Sequence, residues 1–159
     1  MRMFLLTKQG KEVLERQARR QTLLNDPKAI YQDHFVSVRS DALVVKKYFV
    51  PSLLPYEFPW DKIEELTYTP QKNDDKAEVR GKGLDANGRW WATDVLRVHE
   101  RELHLYNIRI ESDTEPRKSG FTVVEIEHFL KACRPLLPYS CRLSGCIWSE
   151  TPRSFFESE

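Results

Sequence analysis

Long apolar runs are missing from this chain, and with them any segment near the ~20 residues that a helix needs to span a bilayer. The Met1–Leu6 run falls short of the ~7–15 apolar residues of a signal-peptide core. An excess of one charge is missing too. Twenty-five Lys and Arg against 24 Asp and Glu leave a net charge of +1, so no global field draws in nucleic acid or an acidic membrane. Cysteine is sparse. Three residues, an odd number without an export signal, point to free thiols, a reducing compartment and a cytoplasmic location.

The chemistry-bearing motifs are missing as well. Four residues separate Cys141 from Cys146, whereas the best zinc signals are closer pairs. Five positions along a helix place His128 and Cys133 about 140° apart, and Cys133 reads as a small core hydrophobe. His99 and His104 are not spaced like the histidines of a metalloprotease helix. No Gly-x-Ser-x-Gly elbow is present, and Gly81-Lys82-Gly83 lacks the strand-to-helix context of a phosphate loop. Glu64 and Glu65 are neighbours that a strand sends to opposite faces, and Asp74-Asp75 lies in a loop. No catalytic residue, cofactor or metal is expected, and the chain reads as not an enzyme.

What the chain does have is β-rich sequence. At 159 residues it is long enough for one domain with a real core, and 40% hydrophobic with 31% charged residues is a soluble globular profile. Lys8–Leu24 is helix-forming with a thin apolar stripe and ends at Asn25-Asp26-Pro27. Residues 1–30 thus read as an N-terminal helical extension. They carry seven Lys or Arg against three acids, while residues 57–78 carry seven acids against three Lys. Strands are expected at 34–39 and 42–50, with Pro51 and Pro55 marking a sheet edge, and then at 62–69, 88–95, 102–111 and 120–123. A weak strand is read at 77–80. Apolar residues on both faces of 102–111 predict a strand covered on both sides.

Thr122-Val123-Val124-Glu125 fits a capping box. Ile126, Phe129, Leu130, Cys133 and Leu137 then fall on one helical face, ended by Pro135 and Pro138. Residues 139–159 read as a tail. Adjacent Trp90 and Trp91 must point to opposite faces of a strand. Trp91 is expected in the core, which leaves Trp90, with Arg89 beside it, in need of a cover or a partner. Lys46 and Lys47, on the second strand, complete the candidate binding residues.

The run Lys118-Ser119-Gly120-Phe121-Thr122-Val123-Val124-Glu125-Ile126-Glu127-His128-Phe129-Leu130 resembles the last strand and closing helix of pleckstrin-homology-like domains of bacterial type. Phe58-Pro59-Trp60-Asp61-Lys62-Ile63 resembles the strand at which their chain re-enters the sheet. The resemblance covers about residues 30–137. It implies a mainly β fold at 31–138: a bent antiparallel barrel of about seven strands, closed by the C-terminal helix. Members bind phosphoinositides, peptides or proteins, so the fold alone assigns no function. The basic first hairpin loop of lipid-binding members is here Ser40-Asp41, which lacks their phosphate cradle. A protein-interaction or scaffold domain is therefore the leading reading, with a protein partner or self-association. Peripheral membrane or phosphoinositide binding through basic residues is the second reading, and a small-molecule-binding barrel or enzyme the third.

Overall fold

Val36–Arg39 and Ala42–Val45 pair as an antiparallel hairpin in which Val36 faces Val45 and Val38 faces Leu43. β-branched side chains on a pleated surface favour this, and the Ser40-Asp41 link is as tight as expected. The computed structural model of the chain describes residues 26–49, 51–74, 83–94, 96–99 and 105–147. The expected helix at 8–24 and weak strand at 77–80 lie outside these. Residues 26–30, assigned in sequence to a helical extension, instead form a turn leading into strand β1 (Ala29–Gln32).

Strand β1, β2 (Val36–Arg39), β3 (Ala42–Val45) and β4 (Tyr56–Pro59) form an antiparallel meander in sequence order. A 3-10 turn at Trp60–Lys62 then feeds β5 (Ile63–Pro70). It enters a six-stranded sheet with β6 (Gly83–Leu84), β7 (Trp90–Trp91), β8 (Tyr106–Ser112), β9 (Lys118–Val123) and β10 (Arg142–Gly145). The spatial order is β10-β5-β8-β9-β7-β6. Neither sheet closes on itself among the described residues, so two sheets stand where the resemblance implied a closed barrel. The molecule is mainly β.

A short helix α1 (Leu96–His99) follows β7, and helix α2 (Ile126–Cys133) follows β9. The expected strand at 88–95 is thus reduced to two residues, and His99 ends a helix rather than starting a strand. Helix α2 buries Ile126, Phe129, Leu130 and Cys133 against β1 and β2, as their spacing predicts. Its capping box does not form. Thr122 belongs to β9, and its hydroxyl donates to Asn107 Oδ1 at 3.1 Å. The entry to α2 is held from the first sheet instead. Asp33 Oδ2 accepts the Val124 N–H at 2.9 Å, and the Tyr31 hydroxyl oxygen accepts the Glu125 N–H at 3.2 Å. Two orphan donors near a helix start are so satisfied across more than ninety residues of chain.

The tail contributes a strand. β10 pairs in parallel with β5, and Gly145, with φ 152°, lies so close to the Tyr68 carbonyl that a Cβ there would overlap it. One apolar core fills the space between the two sheets and α2, with Leu43, Phe58, Leu66, Ile108, Ile110, Phe121 and Phe129 nearly solvent-free.

Candidate functional site

Strand β3 ends at Val45, so Lys46 and Lys47 lie in a turn rather than up the strand. Lys47 takes a left-handed φ of 49°, uncommon for a residue with a side chain. Thr93 holds that conformation: its N–H and hydroxyl donate to the Lys47 carbonyl at 2.9 and 2.8 Å. The turn delivers Tyr48 into the core and Phe49 to its surface. The two rings meet edge to face at 4.9 Å, and Tyr48 also touches Tyr56, Phe58 and Trp90.

Trp90 stands at the opening of this aromatic cluster. Its indole N–H donates to the Tyr48 carbonyl at 2.8 Å, and its ring is half-buried against the core. In front of it lies a groove of about 590 Å3, with Tyr48, Phe49, Leu84, Trp90 and Pro116 as apolar walls and Glu115, Arg117 and Lys118 along one side. Phe49 is 37% and Leu84 69% exposed. Burial pushes the Tyr48 hydroxyl up to about 12 despite its hydrogen bond to Ser119. It therefore stays protonated near neutrality and hydrogen-bonds Ser119.

The other expected residues do not converge here. Arg89 Nη1 donates to the Ile110 and Ser119 carbonyls at 3.0 and 2.9 Å, tying β8 to β9. Lys46 Nζ donates to the Asp33 carbonyl at 2.9 Å, and burial draws its amine below the usual range. Lys47 sits in its turn. Only Trp90 lines the groove.

Trp91 is fully buried, as expected, but its neighbours are polar and cationic rather than the main apolar cluster. Gly120 makes the room, since a Cβ there would overlap the indole. The Arg97 and Arg109 guanidinium groups lie 4.8 and 5.1 Å from the Trp91 ring, within cation–π range. The Trp91 N–H donates to Asp85 at 2.9 Å. Arg109 and Asn107 both donate to Asp74 Oδ2, at 3.1 and 2.7 Å. Arg97 donates from Nε to the Thr122 hydroxyl at 3.1 Å, while its Nη2 is buried without a hydrogen-bond partner. Burial lowers the Arg97 guanidinium to about 10, so it is charged near neutrality.

A second buried polar contact joins the hairpin to α1. His34 Nε2 lies 2.7 Å from Asp94 Oδ2, and Asp94 Oδ1 accepts the Leu96 N–H at 3.0 Å. Burial drives the Asp94 carboxyl up, but His34, the Leu96 N–H and the Lys47 charge together outweigh it and hold it below the usual range. No sequence motif marks Arg97, Asp94 or Asp74, because Thr122, His34, Asn107 and Arg109, which meet them, lie far away in the chain. Leu84 and Phe49 carried a signal only as apolar residues beside turn-forming glycines and prolines.

Comparison with protein-family models, curated proteins and solved structures finds no match.

Proposed function

We propose that the chain is a non-catalytic binding domain of pleckstrin-homology-like type that takes a protein partner in the groove before Trp90. The family reading is supported by element order. A four-stranded meander leads into a second sheet, and α2 follows the last antiparallel strand and packs on the shared core. The binding reading is carried by one observation: apolar side chains stay exposed around a half-buried tryptophan, in a concave site. Interface centres favour such aromatic anchors, and large exposed apolar patches mark interaction sites.

The first hairpin favours this over a phosphoinositide headgroup. Arg39, at the end of β2, is committed to Asp26 at 2.7 Å and Glu57 at 3.1 Å, and Lys46 reaches the Asp33 carbonyl. Arg39 beside the hairpin loop and Lys46 at the hairpin's other end both bond to this protein's own acceptors.

Leu84→Glu and Phe49→Asp test the reading, because both side chains are exposed at the groove. A partner captured by the wild-type chain, purified and titrated back, should bind each variant at least tenfold more weakly, with unchanged thermal unfolding. Equal affinity for wild type and both variants would refute the groove as the binding site.

A further inference from the structure

The groove's charges narrow the chemistry of what it takes. Arg117 and Lys118 line it against one carboxylate, Glu115, which already lies 3.2 Å from Arg117 Nε. An apolar floor with an excess of cations complements a segment of opposite character.

We infer that the occupant is an acidic segment of a partner protein, in which one aromatic or large aliphatic side chain is flanked by Asp or Glu. This rests on the groove being the binding site. The anchor packs on Trp90, Phe49 and Leu84, where it displaces water from apolar surface. The flanking carboxylates meet Arg117 and Lys118 on the rim, where charge sets partner choice and association rate more than total affinity. A free anion lacks the anchor, and a basic segment meets like charge.

Selection from a random peptide library displayed on phage tests this, with the Leu84→Glu chain as the counter-target. Peptides retained by the wild type and rejected by Leu84→Glu should be enriched in Asp and Glu around Phe, Trp, Leu or Ile. Synthetic copies should lose about tenfold in affinity for an Arg117→Glu/Lys118→Glu variant, and should weaken as salt is raised. Groove-dependent peptides without acidic enrichment would overturn the acidic partner and leave the groove standing. No groove-dependent peptide at all would overturn both. Flotation with vesicles of phosphatidylserine and phosphatidylcholine forms the last arm. Binding to them that Leu84→Glu abolishes would replace a protein segment by a lipid surface.

Discussion

The two faces of the six-stranded sheet are built from the same strands and solve burial in opposite ways. Along β8, Tyr106, Ile108 and Ile110 enter the apolar core, while Asn107 and Arg109 point to the other side. Along β9, Phe121 and Val123 join that core, while Gly120 and Thr122 serve Trp91, Asn107 and Arg97. The apolar face needs volume and shape, so its stability is spread over many small contacts. The polar face needs named partners, because a buried donor or charge is costly when left alone. The two tryptophans divide the same way. Trp91 is locked between cations on the polar side, and Trp90 stands where the apolar side opens to solvent.

The largest expected effect breaks the apolar face. Phe129→Ala removes a ring packed on Tyr31 and Phe121. It should cost about 3–5 kcal/mol in urea unfolding, whereas Phe129→Leu should cost well under half of that. On the polar face, Asp74→Ala removes the carboxylate shared by Arg109 and Asn107 and should cost about 2–3 kcal/mol. Arg97→Met, which deletes a buried charge that forms no ion pair among the described residues, should cost less than Asp74→Ala. If the two rank the other way, the polar face is not held by its partners in the way described.

The next effect is on pH dependence. Asp26 falls from 3.8 to about 2. Burial works against this, and the hydrogen bonds from Arg39, Ser37 and the Lys28 N–H, with the Arg39 charge, outweigh it. A carboxyl depressed in the folded state binds its proton more readily when unfolded. Its stabilisation is therefore complete above about pH 4 and is lost as the pH falls toward about 2. Unfolding free energies measured from pH 5 to 2 should drop less steeply in Asp26→Asn than in the wild type. The smallest effect is at Lys47. Glycine relieves the left-handed φ but adds unfolded-state entropy, so Lys47→Gly should change stability by less than about 1 kcal/mol and leave groove binding unaltered.

What was legible in the sequence follows the same division. The first hairpin and α2 are legible because their signals are local: valine-rich runs at 36–45, and apolar spacings of three and four in α2. The polar face was unreadable because Arg97, Asn107, Asp74 and Thr122 meet only once the sheet is assembled. The capping box at Thr122 failed for that reason, its hydroxyl being taken by Asn107 and Arg97. Strand β10 is not legible because Arg142-Leu-Ser-Gly offers no β pattern. Backbone pairing with β5 and the Arg142 contact with Glu65 at 2.9 Å hold it instead. Trp90 is legible as a residue needing a cover, but the groove walls Phe49, Leu84 and Pro116 come from three segments far apart in the chain.

The most direct test follows the two indole N–H signals by NMR while a groove-selected acidic peptide is added to the full chain. The Trp90 signal should shift with saturable dependence on peptide, and the Trp91 signal, buried across the sheet against Asp85, should stay in place. A shift of Trp91 alone, or of neither, would contradict a binding groove at Trp90.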